Sequence, residues 1–186
     1  MSELANDSAK QNVTTGLTAA HVASLPAVFI AADYKWELHG VWSSLRIGQA
    51  APELDAAFPA ARRFGMTTAA NPGQIIRAEA DNRSGDQALQ RRLAHLGLEH
   101  RPGFVAAHSR IWKAYNWLLI DPDEAIFDAL TREFDQIGSL LWSRGEPVRL
   151  RMRAQRPETV AEHPYVDWVG EGGVGDGAQA KPAASP

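Results

Sequence analysis

The residues best suited to chemistry in this chain are side-chain amides. Asn71 stands in GMTTAANPG, where a short apolar and β-branched stretch stops at Asn71-Pro72-Gly73. Asn tolerates unusual backbone angles and Pro has no N–H to give a ladder, so this is turn chemistry at a strand end. Asn82 and Gln136 are two further amides placed beside expected elements. An amide offers two donors and an acceptor, so three of them converging would read a planar polar ligand. The same residues have a plainer use: Asn71 bracing its turn, Asn82 capping the following helix and Gln136 tying off a helix C-terminus. Both uses stay open at this level. His108 and Arg110, in AAHSRIWKAYNW, complete the set of candidate ligand-binding residues. His108 falls between an expected loop and strand, with surface histidine as its plainer reading. Arg110, like Lys113 or Arg77, would suit a small anion, because a cationic side chain meets carboxylate or phosphate directly.

Other chemistries find little support. With no cysteine there is no disulfide framework, no Cys-ligated metal and no thiol nucleophile. No histidine pair shows the i, i+4 spacing with an acid of a zinc-protease helix, so no metal and no cofactor are expected. Ser109 lies between His108 and Arg110 and lacks the Gly-x-Ser-x-Gly elbow of a serine hydrolase. Gly172, Gly173, Gly175 and Gly177 crowd a C-terminal stretch with no following apolar helix, so they do not make a phosphate loop. The segment Arg101 to Trp117 interleaves basic residues with Trp112, Tyr115 and Trp117. That pattern suits nucleic acid only on a broadly basic surface, and Arg–aromatic stacking inside the protein is its commoner cause.

The elements that must position these groups belong to one ordinary domain. The chain has 186 residues, 45% of them hydrophobic and 22% charged, with a net charge of −3. Nothing in that balance asks for nucleic acid or a membrane surface as partner. The polar start has no basic region followed by an apolar run, and Leu25 to Ala32 is far shorter than the roughly 20 residues of a membrane span. A soluble, cytoplasmic protein is expected. Residues 1–16 read as a disordered tail, 17–153 as a single domain and 154–186 as a Gly/Ala/Pro-rich tail. Within that last segment Tyr165 and Trp168 are costly to leave in water and are expected to pack back onto the domain.

Inside the domain, Pro26 to Tyr34 and Pro52 to Phe58 read as short helices, and Trp36 to Leu38 and Val41 to Ile47 as strands. Gly65 to Ala70 reads as a buried strand. Leu89, Leu93 and Leu96 share one face of a helix from Asp86, which Gly97 stops. Asn116 to Ile120 is a continuous apolar run suited to a strand buried on both faces. Asp121-Pro122-Asp123 starts a helix whose stripe is Ile126, Phe127, Leu130, Phe134 and Ile137. Ser139 to Trp142 and Pro147 to Arg153 form a hairpin. Its second strand alternates Val148, Leu150 and Met152 with Arg149, Arg151 and Arg153, as a half-buried edge kept soluble by arginines. The fold class is therefore α+β, a single domain with a mixed or antiparallel sheet packed by two to three helices.

Five places, taken in order, give the chain a family likeness from about Tyr34 to Leu150. They are Leu45-Arg46-Ile47-Gly48, Thr68-Ala69-Ala70-Asn71-Pro72, Asp81-Asn82 with Leu89, Leu93 and Gly97, Trp112 leading into Trp117-Leu118-Leu119-Ile120, and Phe134-Asp135-Gln136 ahead of Leu140-Leu141-Trp142. In these the chain resembles the bacterial family catalogued as domain of unknown function 3293. The resemblance implies a fold and no reaction. It also marks a departure. Ala114 stands where many members have Glu, and Asn116 where Ser is usual; if that acid serves the family as a general base, the resemblance implies that this chain has lost it. Two readings of function follow. In the first, the protein is a non-catalytic module binding a protein partner or a small polar ligand. In the second, it is a small enzyme acting on a polar or nucleotide-like substrate through an amide/His pocket. A homodimer contact through a sheet edge or the Tyr165–Trp168 segment is a third use of the surface.

Overall fold

A computed structural model describes residues 17–107 and 113–170. Its centre is an eight-stranded sheet assembled from β1 (Asp33–Leu38), β2 (Val41–Leu45), β3 (Arg63–Thr67), β4 (His100–Ala106), β5 (Lys113–Ile120), β6 (Gly138–Ser143), β7 (Leu150–Met152) and β8 (Val166–Trp168). The strand order is β2-β1-β4-β5-β3-β6-β7-β8. All neighbours are antiparallel except β7 and β8, so the sheet is mixed and the fold α+β.

Period-two alternation divides the sheet into two apolar faces. Phe64, Met66, Leu118, Ile120, Leu140 and Trp142 point to one side, where α1 (Ala19–Ala31) contributes Val22 and Leu25 and α2 (Pro52–Ala57) contributes Leu54. Leu119 and Leu141 point to the other side, against Leu89 and Leu93 of α3 (Glu79–His95) and Phe127 and Leu130 of α4 (Glu124–Glu133). The run Asn116 to Ile120 is thus buried on both faces as expected, because helices cover both. Gly65 on β3 lets α4 approach: a Cβ there would meet the Phe127 ring at 2.5 Å. The cap at Asp123 also forms, its carboxylate accepting the Ala125 and Ile126 N–H groups.

Several elements differ from expectation. The first helix runs from Ala19 to Ala31, capped by Thr18, and Tyr34 belongs to β1, where pairing with Leu45 and Val105 draws it into the core. The helix expected from Asp86 begins at Glu79, about two turns earlier. Strand β4 has no clear signal in HRPGFVA because Pro102 argues against a central strand. Pro102 lies beyond the last residue that pairs with β1, so on that side its missing N–H removes no ladder bond.

The largest correction concerns the C-terminal boundary. The sheet continues past Arg153, since Val166–Trp168 pairs in parallel with β7, and Val166 is buried. Strand β7 is therefore not an edge, and its arginines are not a solvated row. Arg149 forms a two-point ion pair with Asp167 of β8. Arg151 binds Asp128 and Glu124 of α4, and Arg153 binds Asp135. These guanidinium forks hold α4 and β8 to β7, which is how a run of alternating arginine becomes interior-facing. No helix among the described residues is long and apolar enough to cross a membrane.

Candidate functional site

The TTAANPG stretch leaves β3 and folds into a turn of left-handed residues. Asn71, Gly73 and Gln74 have φ of 46°, 61° and 63°. Asn is the side chain that best tolerates this region, which is the local reason for its presence. The turn is bonded on both sides. The Asn71 backbone N–H donates to Asn82 Oδ1 (2.8 Å), and Asn82 Nδ2 donates back to Asn71 Oδ1 (2.9 Å). Asn71 Oδ1 also accepts the Arg77 backbone N–H at 3.0 Å. Asn82 is therefore no helix cap: it sits within α3 and ties that helix to the turn.

Gln136 supports the same turn from beneath. Its Nε2 donates to Ala70 O (3.2 Å) and Phe134 O (3.0 Å), and its side chain is buried. The Gly73 N–H donates to Asp135 O at 2.8 Å, and a Cβ on Gly73 would meet Asp135 Oδ2 at the same distance. Gly85 of α3 likewise comes so close that a Cβ would lie 3.0 Å from Ala69 O. The three amides are thus gathered around one turn, Asn71 and Asn82 bonded to each other and Gln136 to backbone. One donor group stands apart. Asn71 Nδ2 makes no hydrogen bond among the described residues.

Asn71 and Asn82 line an open groove of about 900 Å³, together with Thr68, Arg77, Asp86, Phe104, Lys113 and Tyr115. That volume falls in the range of small-ligand sites, roughly 300–1,000 Å³. Gln136 does not line it. His108 and Arg110 lie outside the described residues.

The groove floor is a piece of sheet that no helix covers. Tyr34 and Trp36 of β1 enter the first core, so Lys35 and Glu37 point the other way. Cross-strand partners share a face: Glu37 opposes Trp42, Lys35 opposes Phe104, and Phe104 opposes Tyr115. The result is an aromatic row across β2, β4 and β5, on the α3/α4 side of the sheet but beyond the reach of those helices. Trp42 and Phe104 have ring centroids 5.2 Å apart. Tyr115 is 70% exposed and Trp42 48%. Thr68 Oγ1 fixes the join, accepting the Ala70 N–H and donating to Tyr115 O at 2.6 Å.

The two carboxylates lining the groove are already engaged. Glu79 pairs with Arg83 at 3.0 Å, and Asp86 accepts the Trp117 indole N–H at 2.8 Å. Ala114, where the resemblance leads one to expect Glu, borders the groove, but alternation with Lys113 and Tyr115 turns its side chain to the opposite face, against the first core. Among the described residues no three His, Asp or Glu side chains gather as a metal would require. A second hollow, of about 510 Å³ beside β2 and Ala50–Leu54, carries one acid, Glu53, and no base.

Residues 67–137 match the model of the family described as protein of unknown function (DUF3293). Over this span, less than half of the chain, the sequence is similar to that family. No curated protein and no solved structure matches the chain significantly. The DUF3293 span is narrower than Tyr34 to Leu150: it leaves out Leu45-Arg46-Ile47-Gly48 and Leu140-Leu141-Trp142. It does hold the whole amide interlock and every groove residue named above, Trp42 excepted. Trp42 and Phe104 were not singled out from the sequence. No alternation marks Trp42, since Val41, Trp42 and Ser44 of β2 are all exposed and only Leu45 is buried.

Proposed function

We propose that this protein is a non-catalytic module that binds a small, planar, polar ligand in the groove between the aromatic sheet face and the start of α3. One observation carries the reading: among the described residues Asn71 Nδ2 is uncommitted, at the wall of a groove whose floor exposes Tyr115 and Trp42. An exposed ring supplies a stacking surface and a fixed amide supplies direction. The interlock holds Asn71 rigid, so little entropy is lost when a ligand meets it. The engaged state of Glu79 and Asp86 supports binding without general-base chemistry.

The test is a thermal-shift screen of small metabolites on the full chain, repeated with Asn71→Asp and Tyr115→Ser. Asp keeps the Oδ1 acceptor and the tolerance of φ > 0 but removes the donor. A ligand that stabilises the parent and loses its effect in both variants supports the reading. A ligand effect unchanged in both variants refutes the site, and conversion of the ligand to a product, followed by mass spectrometry, refutes the non-catalytic assignment.

A further inference from the structure

The charges around this groove are not balanced in their commitments. Most arginines of the described chain are tied into ion pairs, including Arg83 at the groove itself. The acids there are tied as well: Glu79 to Arg83, Asp86 to the Trp117 indole, and Glu37 to the Gly40 backbone N–H. Arg77 and Lys113 line the groove and have no ion-pair or hydrogen-bond partner for their side chains among the described residues. Lys35 lies on the same sheet face opposite Phe104 and is equally unpaired among them. Among the described residues the charge left to meet a ligand is therefore positive, although the chain as a whole is net negative.

Lys113 and Tyr115 are two residues apart on β5 and so share a face, roughly 7 Å from each other along the strand. That spacing puts a cation one sugar's length from a stacking ring. Asn71 lines the same groove, three residues beyond Thr68, whose hydroxyl is bonded to the Tyr115 backbone.

Resting on the binding reading above, we infer that the ligand is a mononucleotide. Its base stacks on Tyr115 with an edge read by Asn71 Nδ2, and its phosphate meets Lys113 and Arg77. A base offers a π-face to the ring and donor–acceptor edges to the amide, and a phosphate answers the unpaired cations. A long single strand is disfavoured, because the groove is rimmed by Glu37, Glu79 and Asp86 and has no continuous basic track among the described residues.

The experiment is isothermal titration of the full chain with the four ribonucleoside monophosphates, the matching nucleosides and ribose 5-phosphate, at low and high salt. At least one monophosphate is expected to bind about tenfold more tightly than its nucleoside at low salt, with the difference shrinking as salt rises. Lys113→Ala is expected to abolish that difference and leave the nucleoside unaffected. Tyr115→Ser is expected to weaken both about tenfold or more. Equal affinity for nucleoside and monophosphate, or no binding of either while the metabolite screen yields another Asn71-dependent ligand, overturns the nucleotide class and leaves the groove standing. No groove-dependent ligand of any kind overturns both. Binding of an oligonucleotide without any mononucleotide binding assigns the face to nucleic acid instead.

Discussion

The Asn71 interlock makes a quantitative prediction about stability that is separate from ligand binding. Replacing Asn71 by Ala removes Oδ1, which accepts two hydrogen bonds, from Arg77 N–H and Asn82 Nδ2. Each bond contributes on the order of 1 kcal/mol net, and the two donors are only partly buried, so water recovers some of the loss. Ala also carries a Cβ in the left-handed region at φ 46°, which costs about 1 kcal/mol. The sum is about 2–3 kcal/mol, or a fall in Tm of roughly 4–12 °C for a chain of this size. Asn71→Gly separates the two terms, since it loses the bonds but not the backbone fit, and should be destabilised by about 1–2 kcal/mol. Asn71→Asp keeps both and should stay within about 0.5 kcal/mol of the parent. Urea unfolding with an unchanged m-value reads these differences directly. The reasoning fails if Ala and Gly variants are equally stable, because the left-handed term is then absent. It also fails if combining Asn71→Gly with Asn82→Ala is additive, because bonded partners must couple.

Two further perturbations test the frame around the site. Asp121 accepts bonds from the Arg62 backbone and guanidinium; burial opposes its ionisation, but these bonds and the Arg62 charge outweigh burial and hold its pKa below the usual 3.8. Because the folded pKa is the lower one, this stabilisation is complete above the unfolded value and is lost as pH falls through the folded one. Asp121→Asn, which tolerates φ 49° equally well, should therefore lower stability at neutral pH and flatten the loss of stability between roughly pH 5 and the acid limit, as followed by denaturant midpoints. Ending the chain at Arg153 removes β8, bares the outer edge of β7 and strips Asp167 from Arg149. With Val166 buried and Trp168 packed on the core, the loss should reach several kcal/mol and show as aggregation or a collapsed midpoint; unchanged unfolding would refute β8 as part of the domain.

Much of this was legible in the chain because it depends on local pattern. Leu89, Leu93 and Gly97 mark α3 and its stop, Asp123 caps α4, and the apolar run ending at Ile120 marks a strand covered on both faces. Asn71 as a strand-ending amide also followed from Pro-Gly and from the conformations that Asn tolerates. The pairing of β8 with β7 did not, since a three-residue strand has almost no periodicity and its stability comes from a partner elsewhere in the chain. The same holds for the ion pairs of Arg149, Arg151 and Arg153: alternation tells that one face is polar and is silent on which acids lie across it.

For the site, the sequence by itself determined which residues had amides, rings and cations to offer, and that Asn71 ends a strand. Tertiary structure decided their commitments. It turned Asn82 from a cap into a brace and buried Gln136 under the turn. It also left Asn71 Nδ2, Tyr115, Arg77 and Lys113 around one groove. The physical reason is that donor capacity belongs to a residue type, whereas whether a donor is already satisfied depends on neighbours brought from distant strands. Trp42 and Tyr115 lie 73 positions apart in the chain and share a face only because β1 and β4 lie between their strands.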